Sequence, residues 1–201
     1  MKRKILCVLT VFVLLLPLGL SAESRIGVRG GSGILHVYHT PLDSPSGKEQ
    51  KGSGGYGITL SLDYDLFLTD HIALNAVADI SGNSKSYIND TAQKTRLGYG
   101  VKAGVSFYPG SFRLGAGVRY SVMREGEKED TSSLRALLLS ANLDLVLSCT
   151  ESSYIIIGAE YGYPLTSEIV TPDGTKTKLS LNRQVLNTGF LCLYLGIQCS
   201  I

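Results

Sequence analysis

The sequence predicts an all-β fold: an eight-stranded antiparallel up-and-down transmembrane β-barrel behind a short apolar leader. Three observations predict it. From about residue 54 to the end the hydrophobic period is two, the period of a strand and not of a helix. The connections between the apolar segments alternate between long and short. The residues interleaved with the apolar ones are glycines and charges, a composition that suits a crowded interior better than a solvated strand face.

The elements follow in chain order. Lys2-Arg3-Lys4 is a basic start, residues 5–20 are apolar, and Ser21-Ala22 supply small residues for cleavage after Ala22. This reads as a secretory signal peptide. Pro17 and Gly19 interrupt an apolar run of 16 residues, which is short for a spanning helix. The expected organisation is therefore residues 1–22 as a removed leader and 23–201 as the barrel.

The first strand segment is irregular. Ile26, Val28, Ile34 and Tyr38 share one parity, Leu35 and Val37 take the other, and Gly30-Gly31-Ser32-Gly33 predicts a bulge that switches faces. The next seven are regular. Every second residue is apolar from Tyr56 to Leu66, Ile72 to Ile80, Leu97 to Phe107 and Phe112 to Val122. The same holds from Leu137 to Leu147, Ile155 to Tyr163 and Leu191 to Ile201, and none of these positions is charged. Residues 41–52, 84–93, 124–133 and 164–176 read as long polar loops, and 68–71, 109–111 and 148–153 as short turns. That order fits a meander with large loops on one rim.

Alternation alone does not say which face points inward, since a soluble eight-stranded barrel has an apolar interior. Aromatic residues decide for the membrane. Tyr56 and Tyr64, Tyr99 and Phe107, and Phe112 and Tyr120 stand eight residues apart on apolar faces. At about 3.3 Å per residue and a tilt of about 40°, each pair spans roughly 20 Å, close to the apolar band of such barrels. Tyr161 and Tyr163 extend the expected girdle. The other parity then faces the lumen. It holds Asp63, Asp65, Asp79, Asp144 and Glu160 against Arg29, Arg96, Lys102, Arg113 and Arg119. Eight strands leave an interior just wide enough for side chains. Equal numbers of acids and bases are expected to pair and plug it rather than line a pore.

Composition excludes several classes. Of 19 basic residues three belong to the leader, so 16 face 17 acidic ones, and nucleic acid is not an expected partner. Charged residues at 18% with 11 Tyr and 5 Phe exclude a disordered chain. Cys149, Cys192 and Cys199 remain after the leader, an odd number that allows one bridge, for instance Cys149 to Cys199. No histidine stands near them, so no zinc site and no other metal is expected.

His36 and His39 lie near the long-loop end of the first segment with Asp43, Ser44 and Ser46 close by, which is ordinary loop composition rather than a catalytic set. His71 reads as a turn residue. Glu125, Glu127, Glu129 and Asp130 with Arg124 and Lys128 read as a solvated charged loop. The glycine-rich stretch 52–57 lacks the Lys-Ser/Thr of a phosphate loop.

The leader, the eight alternating strands, four long loops and three short turns resemble the small bacterial outer-membrane barrels: OmpX, the OmpA barrel domain, OmpW and the opacity-type surface proteins. Tyr194-Leu195-Gly196 through Ile201 is similar to the terminal-strand signal read by the barrel assembly machinery, but ends in Ile201 instead of an aromatic residue. The resemblance implies the bacterial outer membrane, termini in the periplasm, long loops outside and a monomer in outer-membrane lipid. The assembly machinery is a transient partner, and neither cofactor nor nucleic acid is implied. The implied role is non-enzymatic, through surface contacts with an extracellular ligand or through envelope stabilisation. A narrow OmpW-like channel for small or hydrophobic solutes is the second reading, and a lipid-modifying barrel enzyme the third.

Overall fold

The computed structural model describes residues 23–36, 54–88, 91–93, 96–125, 132–178 and 189–201. The leader falls outside these residues, as do His39, Asp43, Ser44 and Ser46.

The strands are β1 (Ser24–His36), β2 (Gly54–Thr69), β3 (Ile72–Ile88), β4 (Thr91–Gln93), β5 (Arg96–Phe107), β6 (Phe112–Glu125), β7 (Ser132–Ser148), β8 (Ser153–Val170), β9 (Lys176–Lys178) and β10 (Gly189–Ser200). Eight of them close into a ring in the order β1-β2-β3-β5-β6-β7-β8-β10, with β10 hydrogen-bonded back to β1. Neighbours are antiparallel throughout. The two remaining strands, β4 and β9, are three-residue extensions paired to β3 and β8. Closure satisfies every ladder, as a sheet in hydrocarbon must, because an open edge would leave unpaired backbone groups without water. The seam runs from Arg25 opposite Ser200 to His36 opposite Gly189, and Ile201 N–H donates to Ser24 O at 2.9 Å.

Exposure alternates as the period of two requires. Ile58 is 76% exposed and Thr59 4%; Leu143 is 54% exposed and Asp144 fully buried. The apolar parity is thus the outer face, and the buried interior is polar.

Three boundaries differ from the sequence reading. The glycine-rich stretch of β1 holds no bulge: Gly30 to Gly33 keep continuous register with both β2 and β10. A glycine at 31 is what the seam needs, since a Cβ there would lie 2.9 Å from Tyr194 Cβ. Second, β3, β6 and β7 continue into segments read as loops, because a hairpin rising past the membrane needs no apolar outer face. Third, β8 passes through Pro164 to Val170, so 164–170 is strand and not loop. A register shift between Leu137 and Leu138, opposite Pro164, absorbs the missing N–H.

The three short turns gather at one end with the chain's two seam ends. Thr69 Oγ1 accepts from the N–H groups of His71 and Ile72 at 3.3 and 3.1 Å. Gly110 adopts φ 66°, which its turn after Pro109 requires. The strand ends that lead into the long connections lie at the opposite end.

Candidate functional site

The lumen is the candidate site. Its centre is the guanidinium of Arg113 on β6, which is fully buried. Nε donates to Asp144 Oδ2 at 2.5 Å, and Nη1 donates to Asp63 Oδ2 at 2.7 Å and to Asp65 Oδ2 at 2.8 Å. Neutral donors complete the three carboxylates. Asn75 Nδ2 reaches Asp63 and Asp65 at 2.9 and 2.8 Å, while Tyr108 OH and Gln198 Nε2 reach Asp65 at 2.5 and 2.7 Å. Asn142 Nδ2 donates to Asp144 Oδ2 at 2.9 Å, and Tyr194 OH donates to its other oxygen. Arg29 from β1 lies 3.2 Å from Asp63 and 4.5 Å above the Tyr194 ring. A buried carboxylate is tolerated only when paired and hydrogen-bonded, and each of these three is.

A second cluster lies towards the long-loop end. Arg119 Nη2 donates to Asp79 Oδ2 at 2.7 Å, and its Nη1 is 3.4 Å from Glu160 Oε1. Ser140 Oγ donates to Glu160 at 2.5 Å, and Lys102 Nζ lies 3.7 Å from it. Lys102 also donates to Asn142 Oδ1 at 2.6 Å, so Asn142 joins the two clusters.

At the short-turn end an apolar cluster, the aromatic stopper, sits inside the barrel. Phe67, Ala73, Tyr108 and Val146 form a buried cluster with Tyr154 against it. The Arg25 guanidinium lies 4.6 Å from the Phe67 centroid and 4.1 Å from that of Tyr154. Such stacking suits a cation that is partly desolvated.

The inward glycines make room for these side chains. A Cβ on Gly100 would stand 2.9 Å from Asp79 Oδ2, and one on Gly196 2.6 Å from Arg29 Cγ. A Cβ on Gly158 would overlap Asp144 Oδ1, and one on Gly115 would overlap Asn142 Oδ1.

A closed eight-stranded antiparallel ring with outward apolar residues and a buried ionic interior is the architecture of small outer-membrane barrels. The family model described as "Opacity family porin protein" matches residues 40–141, just over half of the 201. The chain belongs to the opacity porin family. Three solved structures share the fold. Neisserial surface protein A is 11% identical with a TM-score of 0.55, covering 90% of this chain and 98% of its own. OprG from Pseudomonas aeruginosa is 15% identical with a TM-score of 0.57, covering 88% and 96%. AlkL, solved in lipid bilayers, is 12% identical with a TM-score of 0.61, covering 90% of each chain. A comparison with curated proteins finds no match. This opacity-family chain is a bacterial outer-membrane protein.

In this opacity-family barrel Arg29, Asp63, Asp65, Asp79, Lys102, Arg113, Arg119, Asp144 and Glu160 are all buried on the inner face. Arg96 opens β5 opposite Asn83; its side chain lies outside the described residues. Of the aromatic positions, Tyr99, Phe107, Phe112, Tyr120 and Tyr161 are exposed on the outer face, and Tyr163 is half-buried there. The side chain of Tyr56 is outside the described residues. Tyr64 shares the outward parity but is only 7% exposed, and Leu66 on the same face is 6% exposed, so this part of β2 presents no ring to lipid.

Cys149, Cys192 and Cys199 are free, so the Cys149–Cys199 bridge that the count allows is not formed. Cys149 N–H donates to Ser153 O, and Ser153 in turn pairs with Cys199, so the two thiols are separated by a whole strand. Two strand spacings of about 4.8 Å exceed the roughly 7 Å limit for a bridge. His71 is an exposed turn residue, and His36 ends β1 opposite Gly54. Among the described residues no group of three or more His, Cys, Asp or Glu side chains is arranged to hold a metal.

Sequence reasoning missed the neutral members of the network: Asn75, Tyr108, Asn142, Ser140, Tyr194 and Gln198. The signal was present, because each lies on the inward parity of its segment or just past its end. A charge stands out against an apolar face, whereas a neutral amide or hydroxyl on the same inward parity does not.

Proposed function

We propose that this barrel is a non-enzymatic surface protein, closed to solutes, whose long connections make contacts outside the cell. One observation carries the reading. The side chains meeting at Arg113 come from β1, β2, β3, β6, β7 and β10 and the turn after β5, so a single hydrogen-bonded layer crosses the lumen. The aromatic stopper lies below it. A path for ions would have to break both, at the cost of uncompensated buried charge.

In this reading residues 1–22 are removed on export and the assembly machinery inserts the chain. The mature protein is a monomer with its short turns in the periplasm. The four long connections then carry whatever ligand specificity exists. Single-channel recording in planar bilayers tests the closed lumen. The expected trace has no steady open level, and a stable large conductance would overturn the plug in favour of a narrow channel. Epitope tags at Gly47, Asn89, Glu127 and Asp173 should be labelled on intact cells, whereas tags at Asp70 or Gly110 should not. An unchanged lipid A mass profile on expression is the outcome expected of a protein that does not modify lipid.

A further inference from the structure

Three buried polar atoms in the layer around Arg113 have no protein partner: Arg113 Nη2, Gln198 Oε1 and Ser106 Oγ. Arg113 and Gln198 are fully buried, and Ser106 is 1% exposed. Their neighbours hold them in place. Gln198 Nε2 and Arg113 Nη1 both donate to Asp65 Oδ2, at 2.7 and 2.8 Å, so the amide and the guanidinium are adjacent. Tyr108 OH gives the same oxygen a third donor at 2.5 Å. Turning the Gln198 amide over would set its oxygen against that carboxylate, so Asp65 fixes which end stays unsatisfied. The Arg113 guanidinium is fixed by Asp144 at Nε and by Asp63 and Asp65 at Nη1. Arg29 Nε also lacks an acceptor, but its guanidinium stacks 4.5 Å from the Tyr194 centroid.

The lumen has room beside these atoms. Ser106 on β5 pairs with Gly115, and Arg113 is the next inward residue on β6. Gly104, the inward residue before Ser106, pairs with Gly117 of β6. This glycine pair puts no side chain into the lumen, and the nearest atoms to a Cβ at either position would be backbone of the other strand. A buried water needs a share of about 30 Å³ and makes about three hydrogen bonds.

The chemistry of the three atoms selects the ligand. Arg113 Nη2 only donates, Gln198 Oε1 only accepts, and a hydroxyl does both. A metal cation cannot accept from the guanidinium. A halide has no proton for the amide oxygen. It would also enter a layer in which Arg29 and Arg113 face Asp63, Asp65 and Asp144, a sum of 2 − 3 = −1. Water meets all three demands, and leaving the donor and the acceptor dry would incur their full desolvation penalty.

We propose that the Arg113 layer is a buried water site, in which water accepts from Arg113 Nη2, donates to Gln198 Oε1 and reaches Ser106 Oγ. The layer across the lumen is then completed by solvent as well as by protein. This water is held between the aromatic stopper on one side and the Arg119 cluster on the other, and it forms no file through the barrel. That last point rests on the closed lumen of the proposed function; the binding of water does not.

The test is a crystal structure of the full barrel at a resolution that shows ordered water. A peak should lie about 2.7–3.2 Å from Arg113 Nη2, and the same or a second peak at that range from Gln198 Oε1. Crystals soaked in rubidium bromide should give no anomalous signal at this position. A map with no peak at these atoms overturns the proposal, and so does a direct hydrogen bond from Arg113 Nη2 to Gln198 Oε1. A rubidium or bromide signal in place of water also overturns it, since the site would then be one for an ion. Single-channel recording on the same protein separates the two readings. A steady open level overturns the closed lumen, whereas a missing peak in a barrel that does not conduct overturns the water site alone.

Discussion

Replacing Arg113 by Ala is the sharpest perturbation of the lumen. Arg113 makes ionic contacts of 2.5, 2.7 and 2.8 Å with three fully buried carboxylates. Around it Asp63, Asp65 and Asp144 face Arg113 and Arg29, a sum of 2 − 3 = −1. Without Arg113 the sum is −2, and among the described residues Arg29, 3.2 Å from Asp63, is the guanidinium left beside them. Removing one partner of a buried ion pair costs about 3–5 kcal/mol. The neutral donors Asn75, Tyr108, Gln198, Asn142 and Tyr194 stay in place and keep the loss within that range. A domain holds about 5–15 kcal/mol in all, so the variant should unfold at much lower urea. The assay is urea unfolding from phospholipid vesicles, followed by electrophoretic mobility and by tyrosine emission, because the chain has no Trp. Arg113→Lys restores the charge without the planar fork and should fall between wild type and Ala. An Ala variant within about 1 kcal/mol of wild type would refute the claim that this guanidinium holds the layer together. A Lys variant as unstable as Ala would refute charge neutralisation as the reason.

Three further outcomes are expected. Ala103→Arg places a charge on an exposed outer position in mid-strand and should cost about 2–4 kcal/mol in vesicles; equal folding of variant and wild type would contradict the assignment of that face to lipid. Gly158→Ala drives a methyl group into Asp144 Oδ1 and should cost about 1–3 kcal/mol in the same urea assay, although the change is chemically small. Folded protein should take up maleimide at exposed Cys149 and Cys199 but not at buried Cys192, and a mass shift of one label or three would show that their exposure is misassigned.

Most of the ring was legible from periodicity, and the physical reason is the bilayer. A strand in hydrocarbon must show an unbroken apolar outer face, so Leu137 to Leu147 or Leu191 to Ile201 announce themselves. Beyond the bilayer that demand ends. The outer parts of β3, β7 and β8 carry Lys85, Ser86, Ser133 and Glu168, and they read as loops although backbone pairing continues through them. Pro164 reinforced the misreading, since a proline mid-strand normally marks an end. The buried charges were legible for the same reason as the strands, because a charge on the second parity stands out against an apolar first parity. Their partnerships were not. That Arg113 rather than Arg119 gathers three carboxylates depends on strand stagger around the ring, which no single segment encodes.

The seam between β1 and β10 has a consequence for biogenesis. Arg25 and Ser200 are direct neighbours in the folded protein yet lie 200 − 25 = 175 positions apart in the chain. The strand that closes the ring is also the last of the eight to leave the ribosome. A sheet formed without β10 therefore has unpaired edges at β1 and β8, and pairing of segments so distant in the chain is slow. A polypeptide stalled before residue 189 has no means of sealing that edge by itself. It should persist as an open sheet prone to pairing with other chains, and so be a substrate for periplasmic holding factors and proteases. Connectivity thus makes the pairing of β1 conditional on the presence of β10.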